Sequence, residues 1–531
     1  MKPDAPMLAM VLLAGAFATT ARAQDLGRVH FPTSCTPQAQ EKIDLGLARV
    51  HSFVYPESIK AFTEAAAADP QCVIAYWGIA ISHRPNPLVL PLPVAVLKNG
   101  YEAVEKGKAI GAKTERERDW LAAIELYYKD YDRIDQTARG LTYERAMAQL
   151  MQKYPDDVEA AVFYALALNE TALPSDKTYA NQLKAAAILE KVGVTLPEHP
   201  GVLHYLIHSY DYPALAQRGL AAANKYAKVS PAAGHALHMP GHTYSMLGLW
   251  EQSIAANTAA RAVAQEQAAR LWPGATHPGE PHVLDFIAYA FLQMGQERGA
   301  MQMRNDSDAI RKFAFESMTG YTALAAIPAR FALERQAWQE AAALVPRGSQ
   351  FPQAEAITYF ARALGAARSA DLAAAEAGIA KLKELHAMLE KANQSYWAGQ
   401  VEIQMLATSA WIAQAREWKD EALKFMRAAA DLEDNSEKHI AMENRLYPMR
   451  ELLGDMLLAQ QQAAQALNEY ETALGSTPNR LRGLYGAAKA AELVGQPDKA
   501  SAHFRKLVAL TRDADAERME IREAKAFLAA K

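Results

Sequence analysis

One spacing recurs along this chain and limits what it can become. YPESIKAFTEAAAADP (55–70) and AAQALNEYETALGSTP (463–478) share a small residue, an aromatic four positions on, an alanine three later and a closing proline. PDKASAHFRKLVAL (497–510) repeats the spacing with Ala500, Phe504 and Leu507. Residues three and four apart share a helix face, and proline stops the helix, so each stretch is predicted as a helix with one buried face. Partner helices are present too: ELLGDMLLAQQ, LYGAAKAAELVG and HTYSMLGLW each set a small residue seven positions before a turn. A small side chain there lets two helices approach closely. With alternating strand patterns absent, the expected class is all-α. At 531 residues the chain is long enough for several cores or one extended array.

These helix pairs resemble the tetratricopeptide repeat (TPR) family. The resemblance implies a right-handed superhelical solenoid of antiparallel helix pairs whose concave groove is lined by positions two, five, nine and twelve of the first helices. It is weaker across 88–155, and 172–184 is predicted as a loop inserted inside one repeat. The blocks AYWGIAIS, HYLIHSYD, HMPGHTYSMLG and NRLRGLYGAAKAAEL are also similar to a group of large exported bacterial repeat proteins of undefined biochemical role. That similarity informs fold and compartment, not chemistry.

Residues 1–23 read as a signal peptide. Lys2 precedes an apolar stretch from Leu8 to Ala18, and Ala21-Arg22-Ala23 is an A-x-A cleavage site. The stretch is too short to span a bilayer, and no cysteine follows it to accept a lipid, so a periplasmic or secreted protein is expected. Behind the signal we divide the chain into N-terminal repeats with an irregular insert (24–198), histidine-rich central repeats (199–300) and C-terminal repeats (301–531). A net charge of -4 without a basic tract argues against nucleic acid or a membrane surface as partner. Cys35 and Cys72 are expected to form a disulfide in an oxidising compartment; a thiolate metal pair is the alternative, without C-x-x-C spacing.

Three of the 14 histidines fall within HALHMPGH (235–242). Counting back from the turn at Gly248 puts His235, His238 and His242 at positions two, five and nine of a first helix. Anchoring the preceding repeat on Pro231 puts His204, His208 and Asp211 at five, nine and twelve, and anchoring the next on Gly295 puts His282, Asp285 and Tyr289 at two, five and nine. The three stripes therefore face one groove from adjacent helices. Neutral imidazoles beside a carboxylate on a rigid scaffold suit a divalent transition metal, with Zn, Cu or Fe expected. His204, His208, His235, His238, His242 and Asp211 are the expected ligands. His282 and Asp285 are expected as base and orienter or as further ligands.

Other residues carry two readings each. Arg330, at position nine of the next repeat, could hold a ligand carboxylate beside Tyr289, or be a solvated charge. Pro240 could kink its helix and re-aim His242. Asp211 could instead bond local backbone, His277 could cover the site, Asn169 and Glu170 could brace it, and Trp77, Tyr205 and Tyr244 fit core positions. His51 faces the groove at three hairpins' distance. Two functions follow: a metal-dependent hydrolase or oxidoreductase acting on a small molecule or peptide, or a non-catalytic scaffold binding a peptide or protein. Reversion to Phe360, Leu364, Ile43 and Leu47 at groove positions elsewhere keeps the polar chemistry local, which favours the first.

Overall fold

The computed structural model describes residues 25–530, and the predicted signal segment lies outside them. Among the described residues there are 25 helices, and the sole bridge pairing joins Thr276 and Phe313. Among the described residues no helix is long and apolar enough to cross a membrane.

The recurring aromatic explains how the pairs stack. Phe62 lies against Gly46 of its own hairpin and Gly78 of the next, so close that a Cβ at those glycines would sit 2.9 and 2.1 Å from its ring. Tyr470 does the same between Gly454 and Gly486, at 2.8 and 2.3 Å. One ring thus locks two successive hairpins, the interlocking that a tetratricopeptide-like solenoid needs. Hairpin turns pass through the left-handed region, with glycine at Gly248, Gly295 and Gly495. Phe53 occupies such a turn with φ 54°, a conformation that costs a side-chain-bearing residue about 1–2 kcal/mol. The region 88–155 is helical, as Val94–Ile110, Glu115–Tyr128 and Gln136–Lys153. The predicted insert is shorter than expected, because a helix resumes at Ala180. Cys35 and Cys72 are bonded, tying the start of the described chain to the turn before the Val73–Ser82 helix.

Apolar packing is uneven. Two large cores, one within residues 31–205 and one within 325–500, flank central repeats held by smaller clusters. What replaces apolar packing in the middle is polar, and it includes long-range closure. Arg480 reaches from the C-terminal repeats to bond Glu334, Glu451 and the Tyr289 hydroxyl. Trp250 Nε1 donates to the Asn479 carbonyl at 2.9 Å.

The expected open groove is filled over the central repeats. Between the helices Lys419–Asp434 and Met449–Ala459 the chain runs without a helix. This strap lies across three first helices: Lys438 meets Asp211 at 3.0 Å, Glu443 bonds Ser245, and the Asn444 carbonyl accepts from Arg330 at 2.7 Å. The inserted loop holds its near end, where Lys177 and Tyr179 both bond Glu437 at 2.6 Å.

Candidate metal centre

Three helices carry the histidines. Pro200–Ser209 begins with proline at its first position, and the His199 ring accepts from the Val202 amide, capping it. Gly234–Met246 is one helix that includes Pro240, and His238 and His242, four residues apart, share one of its faces. Glu280–Gln293 supplies His282.

The rings divide into two triads, His204/His208/His235 and His238/His242/His282, in each of which one donor atom per residue lies within 4.8 Å of the others. The triads are neighbours, with the His235 and His238 ring centres 5.9 Å apart. Five of the six residues are buried and His235 is partly so.

Hydrogen-bond partners decide which nitrogens carry protons. His204 Nδ1 lies 2.6 Å from the His51 carbonyl oxygen, which can only accept, so the proton is on Nδ1 and Nε2 is bare. His238 Nδ1 donates to Asn257 Oδ1 at 2.6 Å, and that amide is oriented because its Nδ2 donates to the Ser253 carbonyl at 2.8 Å. His242 Nδ1 donates to Asp211 Oδ2 at 2.9 Å. The consequence is a conflict: His238 Nε2 and His242 Nε2, each a bare lone pair, face each other at 2.9 Å. In the other triad, His204 Nε2 is approached by His208 Nε2 at 2.9 Å and His235 Nε2 at 3.1 Å, although one in-plane lone pair accepts one proton. A proton or a metal cation would relieve either arrangement. Protonation is opposed, because burial pushes His238 down to about 4 and, with the charges of neighbouring rings, holds His204, His208, His235, His242 and His282 well below their ordinary value. The donor set therefore fits a metal at each triad. His208 Nδ1 and His282 Nδ1 are buried without a protein partner.

The other expected site residues take partners of their own. Asp211 bonds the Nδ1 side of His242 through Oδ2 and belongs to neither triad, while its buried Oδ1 has no hydrogen-bond partner. His282 joins the second triad, but Asp285 does not pair with it: its carboxylate meets Arg330 Nε at 3.0 Å. Arg330 is buried and spent on Asp285 and the strap carbonyls of Asn444 and Arg445, not free to take a ligand. Tyr289 is likewise buried, its hydroxyl accepting from Arg480.

His51 lies beside the site, not three hairpins from it, because the Pro37–His51 helix packs on Pro200–Ser209. Its ring belongs to a third cluster in which Glu159 accepts from His51 Nε2 at 2.8 Å and His199 Nε2 at 2.9 Å. There each remaining nitrogen has a donor, the Tyr205 hydroxyl at 3.0 Å and the Val202 amide at 3.3 Å. That cluster is internally complete. Asn169 bonds Ser209 at the end of the Pro200–Ser209 helix, Glu170 pairs with buried Arg84, Trp77 is core, Tyr244 bonds Asn224, and His277 packs on Trp272.

Five residues escape the spacing argument. Phe53 packs on His204, His208 and His235 with ring centres 4.5, 6.0 and 5.0 Å away, and Phe286 on His238, His242 and His282 at 4.9, 4.8 and 5.1 Å. Asn257 fixes a tautomer, Lys438 places an ammonium 3.0 Å from Asp211, and Glu443 lies under Arg330 at 3.7 Å. Burial, with the Asp285 charge adding to it, raises Glu443 to about 8. A stretch without helical spacing that carries His, Lys and Glu between two repeats, EKHIAMENRLYP, was the available signal for the strap.

The chain is thus an all-α protein of tetratricopeptide-like helix pairs with a histidine-lined centre. No family model matches it, and no curated protein matches it. Among solved structures it is similar to the crystal structure of the APC/C hetero-tetramer Cut9-Hcn1, with 11% identity over 93% of this chain and 90% of that one and a TM-score of 0.30.

Proposed function

We propose that the central repeats hold two transition-metal ions, one per triad, and that the ions carry out hydrolytic or oxidative chemistry on a small molecule. The observation that carries this reading is the pair of bare Nε2 atoms of His238 and His242 held 2.9 Å apart by hydrogen bonds on their far sides. Second-side anchoring by Asn257, Asp211 and a backbone carbonyl is how a metal-ligating imidazole is fixed in tautomer and direction. Zn, Cu and Fe all accept such nitrogens. Burial of the rings beneath the strap favours a small substrate over a peptide. The Cys35–Cys72 bond supports export to an oxidising compartment.

Elemental analysis of the protein purified from its native compartment, alongside His208→Ala and His242→Ala, tests the reading. Two ions per chain, with each variant losing at least the ion of its own triad, is the expected result; full metal content in both variants overturns it. The tetratricopeptide-like packing also favours a scaffold that binds a protein or peptide. Such a partner would meet first-helix faces away from the strap, and its binding would survive both substitutions.

A further inference from the structure

We infer that the paired triads are built for two cuprous ions and that the ligand they share is dioxygen. This deepens the two-ion reading and rests on it.

Charge is the first reason. Neither triad contains a carboxylate. The nearest one, Asp211, is shared between His242 Nδ1 and the Lys438 ammonium, which lies 3.0 Å from the carboxylate and 3.5 Å from His242 Nδ1 with 4% of its side chain exposed. Asp285 is already paired with Arg330. No unpaired anion therefore stands against the charge of the metals. Two divalent ions would bring four positive charges into this buried place, and two cuprous ions would bring two. Uncompensated buried charge is costly, so the site favours the lower sum. Paired centres of hard divalent ions have the opposite need, since those ions take carboxylate and water oxygens.

The walls are the second reason. Phe53 packs on the rings of one triad and Phe286 on those of the other, while Lys438 of the strap reaches Asp211 behind the outer nitrogen of His242. An apolar, buried pair of centres suits a small uncharged molecule. Dioxygen also satisfies the charge count. Each cuprous ion gives up one electron, dioxygen accepts both and falls to the peroxide level, and the O–O bond order drops from two to one without cleavage. The ions gain two positive charges and the bound oxygen two negative ones, so the sum in the site is unchanged. No proton is taken up, and release of dioxygen reverses the transfer.

The test uses the full chain with its disulfide intact, freed of metal and loaded anaerobically with Cu(I). Elemental analysis is expected to find two coppers per chain. On exposure to oxygen, an oxygen electrode should record one dioxygen taken up per two coppers, with little copper visible by electron paramagnetic resonance because the two spins couple. His235→Ala, which changes a partly exposed ring, should retain one copper, lose the uptake and give an uncoupled Cu(II) signal on oxidation; circular dichroism checks that it is folded. Two coppers with no stoichiometric uptake, or with a full uncoupled Cu(II) signal in the unaltered chain, would overturn the inference. Retention of two Zn(II) by a chain that does not hold Cu(I) would overturn it while leaving the two-ion reading intact. Failure to retain Zn(II), Fe(II) or Cu(I) at all would sink both.

Discussion

Two histidine clusters lie within one helix of each other and end in opposite states. Around Glu159, two imidazoles give their protons to one carboxylate and receive hydrogen bonds on their other nitrogens. Around His238 and His242 the protons point outward, to Asn257 and Asp211, and the bare nitrogens point at each other. Both clusters are buried and both meet the spacing of a metal site. The difference teaches that the outer partner sets the tautomer, and with it whether a buried histidine cluster satisfies itself or leaves bare nitrogens facing one another.

The contrast can be broken in order of size. His242→Ala should remove the ion of its triad outright, read as metal per chain, whereas a chain with unchanged content would erase the distinction between the clusters. Glu159→Ala should do the reverse. It strands two buried imidazoles, so the urea midpoint should fall by an amount equivalent to about 3–5 kcal/mol while metal content holds; loss of metal instead would mean that the third cluster belongs to the centre.

Acid should act on the triads even without metal. In the fold His238 stays neutral down to about 4, against an ordinary 6.5. As pH falls through that interval the unfolded chain binds the proton and the folded one does not. Apo stability should therefore decline between those pH values, by on the order of 3 kcal/mol for this ring, and urea titrations across the interval measure it. A flat profile would show that the rings protonate in place. The smallest expected effect is that of Asn257→Leu, which frees the His238 tautomer without touching a ligand and should weaken metal binding about 10–100-fold by competition with a chelator.

The repeat frame was legible because it is local: aromatic-over-glycine packing follows from spacings within one hairpin and its neighbour. The same register put His204, His208, His235, His238, His242 and His282 on adjacent first-helix faces, where the structure places them. It could not rank the acids. Asp211 and Asp285 occupy groove positions as the histidines do, but what each carboxylate does depends on Lys438 and Arg330, which come from other parts of the superhelix. His51 was misplaced for a related reason, since counting hairpins along the chain ignores how tightly the solenoid curls. Nothing periodic marks the strap. Its position is fixed by single contacts such as Glu443 to Ser245 and Lys177 to Glu437, which have no counterpart in helix spacing.

Because the strap enters the sequence long after the last histidine of the triads, the chamber around the rings can be roofed only when the C-terminal repeats have been delivered and docked. On the proposed two-ion reading, an ion arriving earlier would meet uncovered rings; one arriving later would meet rings already crossed by the strap, with His235 the one of the six that is only partly buried. If the triads hold ions as proposed, loading and completion of the superhelix are ordered events, and a chain shortened before the strap should exchange those ions far faster than the whole protein does.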